Sequence, residues 1–202
     1  MGEKARSSLA KTGKRLSRKH LSSYALIFVA APILTFIIGR WVDDMLSLPD
    51  FPPIPFNLLL GFTVFFLGLA IGIKSTRLLF KIGQGLPWGE FNGQSRSSRL
   101  VTTGLYAYCR NPMTLGYSLL PCGMGIMFRS LGMAIFVPAI TLLAAVTWLK
   151  LREEPNMENR FGEIYQEYKR RTPFLIPHYK QLKSFFASSA QMLCQRKKER
   201  KA

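Results

Sequence analysis

Four uncharged, apolar stretches, residues 21–39, 56–73, 111–128 and 130–149, govern what this chain can become. Each is about 18 to 20 residues long, and about 20 apolar residues of helix cross the hydrocarbon core of a bilayer. The charge agrees with this. Lys and Arg outnumber Asp and Glu 28 to 11 for a net charge of +17, while 48% of the residues are hydrophobic. The two facts reconcile because the basic residues lie in the ends and connections and the apolar residues in the spans. Nucleic-acid binding, the usual reading of such a charge, loses for the same reason. The expected fold is an all-α integral membrane protein, with about four transmembrane helices followed by cytoplasmic amphipathic helices.

Charge placement also sets the expected topology. Residues 1–20 hold seven Lys and Arg against Glu3 alone. The apolar stretch behind them is too long for a signal peptide and has no small-residue cleavage site, so the arm is read as retained beside an anionic membrane surface. The 41–55 connection has no Lys or Arg and is stiffened by Pro49, Pro52, Pro53 and Pro55. The 74–110 connection is basic, long, and suited to act as a lid. Only Arg129 separates the last two spans, which predicts a tight antiparallel hairpin. Four spans with both termini cytoplasmic then satisfy the positive-inside rule.

Within this frame the membrane-embedded domain is expected over residues 21–177, between the basic arm 1–20 and a basic amphipathic tail 178–202. Gly61, Gly68 and Gly72 recur at roughly helical spacing and suit close helix packing. The G-Q-G-L-P-W-G run at 83–89 is rejected as a dinucleotide fingerprint, because it follows a membrane helix and contains a proline. After Pro155 an amphipathic helix is expected with Phe161, Ile164, Tyr165 and Tyr168 on one face, ended by the P-F-L-I-P of 173–177. Cys109, Cys122 and Cys194 have no metal-ligand spacing, and His20 and His178 are the only histidines. No metal site is expected.

The chemistry gathers at two places. Asn111-Pro112 reads as a helix start, with Asn at the cap and Pro at the first helical position. Arg110 lies just outside it, beside exposed helix amides that favour an anion. The hairpin returns Glu153 and Glu154 to the same cytoplasmic edge. Two readings stand side by side: a ligand site, or an arginine anchored at the head-group level and salt-bridged to a glutamate.

These residues resemble a known family. G-L-Y-A-Y-C-R-N-P-M-T-L-G at 104–116, an apolar hairpin, and E-E-P-N-M-E-N-R-F-G-E-I-Y-Q-E-Y-K-R-R-T-P-F-L-I-P from Glu153 onward are similar to the isoprenylcysteine carboxyl methyltransferase and phospholipid methyltransferase superfamily. The likeness covers about residues 81–177. It implies an integral membrane methyltransferase that uses S-adenosylmethionine, with the donor pocket at the cytoplasmic membrane edge. It further implies that the 106–116 segment and the double glutamate line that pocket, so Tyr106, Tyr108, Arg110, Asn111, Pro112, Gly116, Glu153 and Glu154 are the expected donor-binding residues. Arg110, Glu153 and Glu154 are the expected catalytic set.

Chemical logic assigns roles under that resemblance. Arg110 with the helix amides suits the donor carboxylate, Glu153 or Glu154 its ammonium, and Tyr106 and Tyr108 its adenine or sulfonium. The family motif often reads Arg-His-Pro with a Tyr two residues after the Pro; here those positions are Asn111 and Thr114. With no histidine at the site, carboxylate O-methylation of a lipophilic acid of isoprenylcysteine type is favoured over N-methylation of a phospholipid amine. An NADPH-dependent sterol-type reductase and a non-enzymatic membrane adaptor are the readings from other classes.

Overall fold

The computed structural model of the chain describes residues 29–84, 97–178, 181, 183 and 184. Among them there is no strand; the fold is helical throughout. We label the helices α1 (29–46), α2 (Phe56–Gly83), α3 (Pro112–Met127), α4 (Gly132–Phe161) and α5 (Glu163–Arg171). A single 3₁₀ turn, Gly104–Ala107, precedes α3.

Helices α2 and α4 are long and apolar enough to cross a membrane. Their outward side chains suit hydrocarbon: Leu59 is 72% exposed and Leu143 68%, exposures that water penalises and lipid does not. The other two expected spans differ in length. Helix α3 has 16 residues, and part of the 21–39 stretch lies outside the described residues.

Several helix ends depart from the sequence expectation. Helix α1 does not stop at Gly39 but carries Arg40, Trp41 and Asp43 to residue 46. Helix α2 does not stop at Ile73 but runs on to Gly83, taking Lys74, Arg77 and Lys81 with it. Neither extension contains a proline that would stop it. Helix α4 passes its expected end at Leu149 and continues through Pro155. A widened turn, in which the Glu154 N–H bonds the Leu149 carbonyl, precedes the proline and absorbs its missing N–H. The amphipathic segment is split at Gly162 (φ 55°, ψ −132°), so Ile164 points outward at 70% exposure while Tyr165 is buried at 5%.

Glycine makes the packing possible. Gly68 and Gly72 on α2 face Gly116 on α3, where a Cβ on Gly116 would stand 2.5 Å from the Gly72 nitrogen. A Cβ on Gly123 would meet the backbone of Phe65 at 2.6 Å. Two helices in such contact maximise dispersion where no hydrophobic effect drives association. The packing expected of the α2 glycines is therefore present.

The far end of the bundle is tied by polar contacts. Buried Asp43 accepts the Gly132 N–H at 2.7 Å, joining α1 to the start of α4. Arg129, in the turn between α3 and α4 (φ 56°), donates to the Pro52 carbonyl at 3.1 Å and pairs with Asp50 at 3.6 Å. The 47–55 connection and the hairpin turn thus close over one another, at the opposite end from Arg110.

Candidate active site

The C-terminal turn of α2, residues 97–101, the 3₁₀ turn, the start of α3, the middle of α4 and α5 enclose a cavity of about 490 Å³. Its wall changes character along α4. Leu142, Ala145 and Trp148 give an apolar stretch facing Met113 and Tyr117 of α3, and Glu153 and Glu154 follow at the other end. The change falls across the widened turn Leu149–Glu153. Such turns re-phase a helix and recur at functional sites.

The charged end is organised around Glu154. Its Oε1 lies 2.9 Å from Arg110 NH2, and its Oε2 lies 3.2 Å from Lys169 Nζ. Lys169 also pairs with Glu158 at 2.8 Å, one turn further along α4. The carboxylate partners hold the Lys169 ammonium above its ordinary range. Arg110 NH1 reaches the Lys169 carbonyl at 3.4 Å, while its Nε is buried with no partner. A buried donor without a partner is costly, so it marks a place where a ligand acceptor fits.

Residues 172–177 brace the same arginine from outside the cavity. The Arg110 N–H donates to the Pro173 carbonyl at 2.9 Å and the Asn111 N–H to the Phe174 carbonyl at 3.2 Å. Asn111 sits at the cap position with Pro112 first in the helix, as its sequence implies, but its side chain makes no capping bond. Its Nδ2 donates to the Phe174 carbonyl at 3.0 Å instead. The side-chain amide is thus spent on residues 172–177, and α3 begins without a side-chain cap.

Three tyrosines complete the wall. Tyr168 donates its hydroxyl to the Tyr106 carbonyl at 2.7 Å, fastening α5 over the 3₁₀ turn. Burial pushes the phenols of Tyr106, Tyr165 and Tyr168 well above their ordinary range. The nearby carboxylates add to this, Glu153 at Tyr106 and Glu154 at Tyr165. These hydroxyls remain protonated at any physiological pH.

Of the expected donor-binding residues, Tyr106, Arg110, Asn111, Glu153 and Glu154 line the cavity. Tyr108, Pro112 and Gly116 do not. Tyr108 turns away and packs on the Ile71–Leu105–Cys109 cluster; Pro112 is fully buried; Gly116 is consumed by the α2 seam. Tyr108 is the residue just past the 3₁₀ turn that holds Tyr106, and the two side chains leave the chain in different directions. Thr114, where an aromatic wall is missing, is in the lining all the same.

Tyr117, Ser118, Trp148 and Met157 also line the cavity and were not singled out by sequence. A signal existed for the first two. Thr114, Tyr117 and Ser118 form a polar stripe at helical spacing on an otherwise apolar helix, and polar residues at membrane depth are functional by default.

A family model described as phospholipid methyltransferase matches residues 56–164, more than half of the 202 residues. The protein-S-isoprenylcysteine O-methyltransferases of Mus musculus and Rattus norvegicus are each 32% identical over 96 residues, covering 45% of this chain. The match takes in 31% of the length of each of those relatives. No solved structure matches the chain. With an all-helical fold, two long apolar helices and a cavity built from the matched segment, the chain belongs to the phospholipid methyltransferase family of membrane enzymes.

Proposed function

We propose that this protein transfers a methyl group from S-adenosylmethionine to the carboxylate of a lipophilic acid, an isoprenylcysteine-type O-methylation at the cytoplasmic membrane edge. Four spans with both termini cytoplasmic belong to the same reading. The residues present fit the donor. The unpartnered Nε of Arg110 suits its carboxylate, and a glutamate of the 153–154 pair suits its ammonium. The Tyr106 ring suits its adenine or sulfonium. When bound, the donor supplies an activated methyl group on a sulfonium.

One observation carries the choice of acceptor: among the described residues the cavity lining holds no histidine, and its carboxylates are those of Glu153 and Glu154. Tyr106, Tyr165 and Tyr168 are held protonated by burial, and Glu154 is committed to Arg110 and Lys169. Glu153 is the remaining carboxylate, assigned here to the donor. An ammonium acceptor must lose a proton before attack, whereas a carboxylate is already ionised at neutral pH. The chain's own work is then to orient the two substrates and exclude water. Leu142, Ala145 and Met113 offer the apolar chain of the acceptor a channel at membrane depth. Charge at one end and an apolar wall at the other align its head with the donor.

The test is chemical. Purified protein incubated with methyl-labelled donor and membrane extract is expected to yield base-labile label released as methanol. Base-stable label in a phospholipid head group overturns the acceptor assignment in favour of amine methylation. Binding of NADPH in place of S-adenosylhomocysteine overturns the methyltransferase reading itself.

A further inference from the structure

The guanidinium of Arg110 is held from three sides. Glu154 takes NH2 at 2.9 Å, the Lys169 carbonyl takes NH1 at 3.4 Å, and the Phe174 ring centroid lies 5.5 Å from Cζ. The same ring receives Lys150 Nζ at 5.3 Å. Phe174 does not line the cavity. Its carbonyl nevertheless takes both donors of Asn111, and the neighbouring Pro173 carbonyl takes the Arg110 N–H. One short segment therefore fixes the backbone of Arg110 and the charge of its side chain. That segment, 172–177, lies beyond the residues matched by the family model, 56–164, and its two ends, Thr172 and Pro177, are buried.

We propose that Phe174 is a positioning residue for the methyl donor, aiming the buried Nε of Arg110 at the donor's carboxylate without touching it. The inference rests on the reading that Arg110 binds that carboxylate. The physical basis is twofold. A cation over an aromatic face in a desolvated place gains appreciable attraction, so the ring removes alternative rotamers of a long side chain. Orienting the arginine before the ligand arrives lowers the ordering cost of binding. Of the ring's two cation partners only Arg110 lines the cavity, so its effect on binding is confined to ligands that carry the carboxylate.

The test compares two ligands on the full chain in lipid nanodiscs by calorimetry: S-adenosylhomocysteine, which has the amino-acid carboxylate, and 5′-methylthioadenosine, which lacks it. Phe174→Leu, keeping bulk but losing the ring, is expected to weaken S-adenosylhomocysteine about tenfold and to leave 5′-methylthioadenosine unchanged. Phe174→Trp, restoring an aromatic face, is expected to bring the first affinity back to within about threefold of the parent. Equal loss for both ligands, or no loss for either, overturns the proposal, and so does failure of the tryptophan to rescue. Arg110→Ala separates this from the underlying reading. If that variant loses S-adenosylhomocysteine while Phe174→Leu does not, only the positioning role falls. If Arg110→Ala binds both ligands as the parent does, the carboxylate assignment falls and the positioning role with it.

Discussion

Arg110 and Glu154 meet at 2.9 Å where their side chains are only 9% and 10% exposed, joining the entrance of α3 to the second half of α4. The contact is an ion pair lacking the alignment of a hydrogen bond, since Glu154 Oε1 receives no aligned donor. Of the two readings left open by the sequence the salt bridge is present, and the proposed ligand site would use the same residues. The bridge presents the arginine, and the arginine keeps one donor in reserve.

That double role separates the two glutamates. Glu154→Ala leaves Arg110 buried without its counter-charge, which costs about 3–5 kcal/mol when one partner of such a pair is removed. A large fall in thermal unfolding temperature is expected along with weaker S-adenosylhomocysteine binding. Glu153→Ala is expected to weaken binding about ten- to a hundredfold, the value of a charge-assisted contact. Calorimetry and thermal melts on the same detergent preparations check this. Unchanged affinity in both variants would make the pair purely structural.

The glycine seam gives a prediction about the fold alone. A Cβ on Gly116 meets the Gly72 nitrogen at 2.5 Å and the Gly68 carbonyl oxygen at 2.9 Å, and backbone cannot step aside as a side chain does. Gly116→Ala should destabilise by about 1–3 kcal/mol, as overpacking does. Gly162 is the converse case. Nothing lies within 4 Å of a Cβ there, yet its φ of 55° and ψ of −132° belong to glycine. Gly162→Ala should also cost about 1–3 kcal/mol, from strain and not from collision. Melts showing Gly162→Ala at parental stability would mean the α4–α5 break can relax.

Alkaline pH should weaken the protein. Burial pushes the Cys109 thiol from 9.0 up to about 12, so the native state holds a proton that the unfolded chain releases above pH 9. The buried phenols act in the same sense above their ordinary 10.0. Lys169 is also raised, by Glu158 first among its partners; its contribution is complete below its ordinary 10.5 and lost as pH rises through the folded value. All three signs agree. Unfolding midpoints should fall steadily from about pH 9 upward, and Cys109 should resist alkylation at pH 8 until the protein is denatured. A flat profile between pH 9 and 11 would contradict this.

How much of this was legible in the sequence depends on which force decides each feature. Apolar length and glycine spacing announced α2, α4 and the seam, because lipid burial and close backbone approach leave compositional traces. The meeting of Arg110 with Glu154 followed from the Arg129 break and the return of the chain. Helix ends were less legible: nothing local stops α2 at Ile73, and the widened turn that carries α4 past Pro155 is a register shift without a residue signature. That Tyr106 lines the cavity while Tyr108 packs on the core was not legible, because two tyrosines two residues apart look equivalent on paper. The tyrosines of α5 were grouped with Ile164 because the Gly162 break resets the helix phase.

Topology can be tested at two exposed polar positions, Ser47 and Thr102. The first lies in the 41–55 connection, which has no Lys or Arg, the second in the basic segment before α3. Under the positive-inside rule they face opposite sides of the membrane. Single cysteines at each, in a background lacking the native cysteines, are expected to react with an impermeant maleimide from opposite faces. Labelling from one face would sink the four-span arrangement.

The last prediction concerns where the acceptor lies. From Leu142 to Glu153 the cavity wall covers about 16 Å of helix at 1.5 Å per residue, long enough to hold a donor at one end and an apolar chain at the other. Ala145 is half-buried on the apolar side, with Leu142 and Trp148 on the same wall. Ala145→Phe fills that side and leaves Arg110, Glu153 and Glu154 untouched. If the acceptor's apolar chain runs there, its KM should rise about tenfold, as lost burial of a few methylenes implies. S-adenosylhomocysteine affinity should stay at the parental value, because the charged end is unchanged. The split between the two measurements is the discriminating readout. A variant that loses donor affinity and keeps its acceptor KM would reverse the polarity of the cavity, placing the acceptor at the charged end and the donor against the apolar wall.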